Sequence, residues 1–128
     1  MPQRPFGRGR GKNAFGRRWQ SAFILLIIAE NPTHGYEIAQ KMDDFGCLIK
    51  TTGQMGGMYR LLSDLEEEAL IIADWETNKP GPAKKIYRIT QKGLQALNEL
   101  DTHFEDLKQT IASFQKRVKT LNASNNQQ

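Results

Sequence analysis

Cations and hydrogen-bonding side chains gather ahead of and inside one short helical stretch. Lys50, Thr51, Thr52, Gln54, Tyr59 and Arg60 fall between positions 50 and 60. Lysine, threonine and tyrosine donate to phosphate oxygens, glutamine can pair with adenine and arginine with guanine in the major groove of B-DNA. As a set they read as a contact with nucleic acid, with Gln54 or Arg60 on base edges and the others on the backbone. The same residue types also make an ordinary solvated helix end. Asp64 lies on the same face and repels phosphate, so such a contact should stop about one turn into the helix.

Two further groups of cations extend this chemistry. Lys79, Lys84, Lys85, Arg88 and Lys92 follow one another with no acid between positions 79 and 92. Residues 1–16 interleave Arg4, Arg8, Arg10 and Lys12 with Gly7, Gly9, Gly11 and Gly16. The chain carries +4 overall. Residues 1–20 hold six cations and no acid, which leaves −2 for the rest. Clustered cations on a near-neutral body point to a polyanionic partner, most simply nucleic acid, although basic tails also serve solubility.

Other chemistries are sparse. The lone Cys47 excludes an intramolecular disulfide and a cysteine-rich zinc site. It reads as a buried thiol or as a redox sensor beside Lys50. His34 and His103 stand far apart, and neither a metal set nor a nucleophile–base pair is visible. No cofactor is expected. The apolar run 22–29 is too short to cross a bilayer, and no small-residue cleavage site follows it. At 128 residues and 38% hydrophobic composition, the expectation is one cytoplasmic, non-enzymatic binding domain with an arm or an appended helix.

The elements that must position these residues follow from periodicity. Positions 19–29 read as a helix apolar nearly all round, hence buried, and stopped by Asn31 and Pro32. A second helix starts after Thr33 or His34 as cap, with Glu37 placed to complete a capping box if His34 is the cap. Tyr36, Ile38, Ala39 and Met42 give its apolar face, and Gly46 ends it. A polar connection, 46–54, leads to a third helix from Gln54 or Met55 to Glu68, with Met58, Leu61, Leu62, Leu65 and Ala69 on one side. Two β-prone runs, 71–77 and 86–90, flank a Pro/Gly loop and read as an antiparallel hairpin. Pro80 and Pro82 stiffen its tip.

A last helix starts near Gln91 behind Thr90. Leu97, Leu100, Phe104, Leu107, Ile111, Phe114, Val118 and Leu121 step by 3, 4, 3, 4, 3, 4, 3, the a and d positions of a heptad. A helix over 91–121 is roughly 45 Å long. Its apolar strip would cover several hundred Å², about what a monomer rarely leaves bare. A second copy of the chain is the economical cover. Trp19 and Phe23 are expected to join these eight residues in the dimer interface; the alternative is that the strip packs only on the chain's own first helix.

The order helix, helix, helix, hairpin is that of a winged helix-turn-helix. The fold class is mainly α with a β-hairpin wing (α+β). The expected organisation is a flexible basic arm (1–16), a winged helix-turn-helix domain (17–90), a dimerisation helix (91–122) and a disordered tail (123–128). The run Ile24-Leu25-Leu26-Ile27-Ile28-Ala29-Glu30-Asn31-Pro32-Thr33-His34-Gly35-Tyr36-Glu37-Ile38 resembles the start of PadR-family transcriptional regulators. So do Gly56-Gly57-Met58-Tyr59-Arg60-Leu61-Leu62 with the following Leu65-to-Ile71 stretch, and Lys84-Lys85-Ile86-Tyr87-Arg88-Ile89-Thr90-Gln91-Lys92-Gly93. The likeness covers about residues 22–95, and the single long C-terminal helix is similar to the smaller of the two PadR subfamilies.

The resemblance implies a homodimeric repressor that binds a palindromic operator and is released by a small ligand or other signal. It places Tyr36 and Tyr59 on phosphates. Two departures stand out. Gly57 occupies a position where the family usually carries a hydroxyl residue. Paired with Gly56, it weakens the helix start by about 1 kcal/mol each relative to alanine, and it would let the backbone approach DNA. Ala69 replaces a usual glycine, so a different backbone angle is expected there. The DNA set is therefore Tyr36, Lys50, Thr51, Thr52, Gln54, Gly57, Tyr59, Arg60, Lys79, Lys84 and Lys85, with Arg8, Arg10 and Lys12 in the arm. Trp19, Phe23, Trp75 and Phe104 either line a flat pocket for a planar aromatic effector or pack as core and interface. The alternatives are a winged-helix module that binds a protein, and an RNA-binding protein that uses its arm.

Overall fold

The computed structural model describes residues 14–45, 55–77 and 80–126. Arg8, Arg10, Lys12, Cys47, Lys50, Thr51, Thr52, Gln54 and Lys79 lie outside them. The chain forms two compact units, residues 1–97 and 98–128.

Seven elements follow in order: α1 (Ala14–Glu30), β1 (Thr33–His34), α2 (Gly35–Asp44), α3 (Met55–Glu67), β2 (Ile71–Glu76), β3 (Lys84–Ile89) and α4 (Gln91–Asn126). Helix α1 begins earlier than position 17, inside the expected arm. Ala14, Phe15, Arg17 and Arg18 leave only Gly16 as a weak helix former ahead of Trp19, and one interior glycine costs a helix only about 1 kcal/mol. Ile24, Leu25, Ile27 and Ile28 are buried, as an all-round apolar helix requires. From α2 the core takes Ile38 and Met42, from α3 Met58, Leu61, Leu62 and Leu65.

The sheet has three strands in the order β1-β3-β2, both pairings antiparallel. The hairpin register sets Ile71 opposite Ile89, Ala73 opposite Tyr87 and Trp75 opposite Lys85. Strand β1 adds Thr33 opposite Tyr87 and His34 opposite Ile86. It is a third strand that periodicity did not reveal, since two residues have no period.

This strand also explains why the expected capping box is not made. His34 is the N-cap of α2 by position but makes no side-chain cap hydrogen bond. Its Nε2 lies 3.3 Å from Glu76 Oε1 on β2. Glu37 instead accepts a 2.7 Å bond from the Thr33 hydroxyl, which holds its exposed carboxyl below the usual range.

The turn after α3 corrects a second expectation. Ala69 has φ +63°, the left-handed conformation that a glycine there would take. Leu70 N–H donates to Leu65 O at 3.0 Å and Ala69 N–H to Glu66 O at 2.9 Å. This is the Schellman closure, and Leu65 and Leu70 are both buried beside it. The fold keeps the angle and the alanine bears the strain.

Helix α4 runs through Asn126, five residues past the heptad's last leucine and into the expected tail. No helix among the described residues is long and apolar enough to cross a membrane.

Candidate nucleic-acid interface

A groove of about 610 Å³ opens in the first unit between the start of α2, the outer side of α3 and the hairpin. Helix α2 contributes Gly35, Tyr36 and Glu37 behind His34. Helix α3 contributes Tyr59, Ser63 and Glu66, spaced four and three apart and so on one face. The hairpin contributes Trp75, Lys84, Lys85 and Tyr87.

Gly35 makes the first wall possible. A Cβ there would lie 2.6 Å from the Tyr59 hydroxyl and 2.7 Å from its ring. The missing side chain lets the Tyr59 ring lie against the first turn of α2. Tyr59 stays part-exposed and Tyr36 is 65% exposed, its hydroxyl accepting a 3.2 Å bond from Gln40 Nε2. Both phenols are thus open to an acceptor outside the protein.

The hairpin wall mixes charge and rings. Trp75 is 63% exposed, although an indole ordinarily sits inside. Tyr87 is buried, and burial pushes its phenol above the ordinary range, so it stays neutral near pH 7. Lys85 Nζ lies 5.6 Å from the Tyr87 ring centre and 3.2 Å from Glu66 Oε1. Lys84 is exposed at the outer end of β3. The Arg88–Asp74 pair, 3.1 Å, spans the two strands.

The sequence-predicted residues sort as follows. Tyr36, Tyr59, Lys84 and Lys85 meet in the groove. Arg60 is exposed on α3 but does not line it, and Lys85 is engaged by Glu66. Gly57 is exposed and a Cβ there would touch nothing within 4 Å, so packing does not require this glycine. Ser63 and Glu66 line the groove with no site role expected from the sequence, and Trp75, expected in an aromatic pocket, lines it beside them. Ser63 and Glu66 carry a signal in their successive steps of 4 and 3 residues after Tyr59. Trp75 stands in this groove, whereas Trp19 and Phe23 meet as tilted rings 5.8 Å apart and Phe23 meets Phe45 edge-on at 4.5 Å. The four aromatics expected to line one pocket are therefore divided.

In the second unit the heptad stripe is largely bare. Ile111, Phe114, Val118 and Leu121 are exposed, Phe114 by 68%. Phe104 and Leu107 are half-buried, as is Leu97, the last residue of the first unit. Leu100 is already buried in the lone chain, so the surface left for a partner lies toward the C-terminal end.

Comparison with known proteins agrees with this architecture. The model of the transcriptional regulator PadR-like family matches residues 24–99. The transcriptional regulator Rv3488 of Mycobacterium tuberculosis is 27% identical over 106 residues, 80% of this chain and 94% of that protein. Among solved structures, TM0937, a conserved protein of unknown function called a potential transcriptional factor, superposes with a TM-score of 0.75 at 41% identity. The match covers 88% of this chain and 97% of that one. A PadR-like transcriptional regulator from Bacillus cereus superposes with a TM-score of 0.64 at 31% identity, over 73% of this chain and 88% of its own. With three helices, a hairpin wing and a long terminal helix matched along more than half its length, the chain belongs to the PadR-like family of transcriptional regulators and is a DNA-binding protein of that kind.

Proposed function

We propose that the protein is a cytoplasmic homodimeric repressor that binds a palindromic operator, with α3 in the major groove and the hairpin on the flanking backbone. The observation that carries the DNA-facing part is the groove itself. It joins the phenols of Tyr36 and Tyr59 to Lys84 and Lys85 between a recognition helix and a wing. A helix seated in the major groove and a wing reaching past it leave the phosphate ridge of one strand between them, where those four groups can donate. Arg60, and Gln54 ahead of it, are the candidate base readers. Lys50, Thr51, Thr52 and Lys79 add backbone contacts.

Dimerisation is supported by the bare stripe Ile111, Phe114, Val118 and Leu121. Its heptad spacing suits a partner helix of the same kind. Two copies would present two α3 helices about one turn of DNA, or a small multiple, apart. Arg8, Arg10 and Lys12 supply minor-groove or phosphate contacts from the arm. Release by a planar aromatic effector would use the Trp19–Phe23–Phe45 rings, and fluorescence quenching across a panel of aromatic compounds tests it. The whole reading is tested by selecting duplexes from a randomised pool. An inverted repeat is expected to emerge and to be footprinted symmetrically, and recovery of asymmetric sequences alone would contradict it.

A further inference from the structure

Glu66 is the odd member of the groove. A carboxylate on a wall that faces a polyanion repels it, and this one also neutralises one of the two lysines that line the groove. Lys85 Nζ lies 3.2 Å from Glu66 Oε1, and both side chains keep about a third of their surface exposed, 37% and 31%. The pair is therefore open to exchange. A carboxylate and a phosphodiester offer the same thing to an ammonium group, one negative charge spread over two oxygens.

We propose that Glu66 stands in for a DNA phosphate in the free protein and yields Lys85 to that phosphate when the duplex docks fully, which makes it a residue that sets specificity. The proposal rests on the reading of the groove as the DNA-facing surface. Loosely held DNA stays beyond hydrogen-bonding distance of Nζ. There the charge of Lys85 remains cancelled by Glu66, and ill-fitting duplexes gain little from it. A duplex that fits brings a phosphate to Nζ, and the exchange replaces one charge-assisted hydrogen bond with another. Glu66 thus lowers affinity throughout, but lowers it most for DNA that does not fit, which is discrimination by a built-in repulsive element.

The test compares Glu66→Gln with Glu67→Gln, both alone and with Lys85→Met, in the full chain. Glu67 is exposed, carries the same charge and does not line the groove, so it reports the effect of net charge alone. Binding is followed by fluorescence anisotropy across a salt series. The probes are a duplex that the protein selects from a random pool and a scrambled duplex of equal composition. Melting curves establish that each variant is folded. Glu66→Gln is expected to tighten the scrambled duplex about tenfold and the selected one about threefold, and to steepen the log–log salt slope by nearly one unit on the scrambled duplex but far less on the selected one, where Lys85 already meets a phosphate. Lys85→Met should abolish both gains. The proposal is overturned if Glu66→Gln matches Glu67→Gln on both duplexes. It is also overturned if Glu66→Gln weakens both with an unchanged slope, which would make the pair a structural tie kept in the complex. A wild-type chain that binds neither duplex removes the DNA-facing reading as well, and that shows before any variant is made.

Discussion

Single residues carry several of the decisive constraints. At Ala69 the left-handed angle costs an L-residue about 1–2 kcal/mol, part of which a glycine would return as unfolded-state entropy. Ala69→Gly is therefore expected to stabilise the fold by about 0.5–1 kcal/mol, read as a raised denaturant midpoint, with no change in DNA binding. Gly57 gives the opposite pairing of effects. Its missing Cβ faces open space, so Gly57→Ala should add about 1 kcal/mol of helix stability while weakening DNA binding, because the backbone can no longer approach the duplex closely. Unchanged binding in the stabilised variant would remove Gly57 from the interface. Gly35→Ala would push into the Tyr59 ring, the movable end of a side chain, so a loss of affinity with little loss of stability is expected. Much of this was legible in sequence: the tyrosines, the two glycines and the Ala69 departure are all visible as residue types. The angle at Ala69 was not, since the Leu70–Leu65 closure that imposes it depends on both leucines being buried in the core.

Elements differ in how plainly they announce themselves. Helix α4 is written in eight apolar positions separated by seven 3- and 4-residue steps, and its start is fixed by Thr90. That hydroxyl accepts from Gly93 N–H at 2.9 Å and lies 2.7 Å from Ala69 O and 3.0 Å from Leu70 O. One side chain thereby caps α4 and ties it to the turn after α3. Gly93 completes the junction, because a Cβ there would overlap the Leu70 carbonyl oxygen and lie 2.8 Å from Ile89 Cδ1. Gly93→Ala should cost about 3 kcal/mol, the upper range for overpacking, measured by chemical denaturation. A neutral result would mean that the start of α4 is loosely held. Strand β1 stayed hidden because only pairing with β3 defines it, and with it went the true partner of His34. The groove was half legible for the same reason: Tyr59 and the lysines belong to recognisable segments, while Ser63, Glu66 and Trp75 become neighbours only through the fold. In a Trp19→Phe variant Trp75 is the sole tryptophan. Its emission should change on adding a duplex, and an unchanged spectrum at saturation would place the wing away from DNA.

At the scale of the whole molecule the account needs two chains. Phe114 and Leu121 are the most exposed apolar side chains of the α4 stripe. A Phe114→Asp/Leu121→Asp double variant should weaken self-association at least about 100-fold, near 3 kcal/mol, because it sets buried charge against the partner helix. The fold of residues 14–97 should survive the change. DNA affinity should fall with it, since each protomer then holds one half-site alone. The arm is separable: deleting residues 1–13 removes four cations and should flatten the salt slope by up to about three to four units if all four meet phosphate. The most direct single measurement is the stoichiometry of the complex with a selected inverted-repeat duplex, by sedimentation velocity. Two chains per duplex, with one chain per duplex for the double aspartate variant, is the predicted result. One wild-type chain per duplex, bound no better than to a scrambled sequence, would contradict the account.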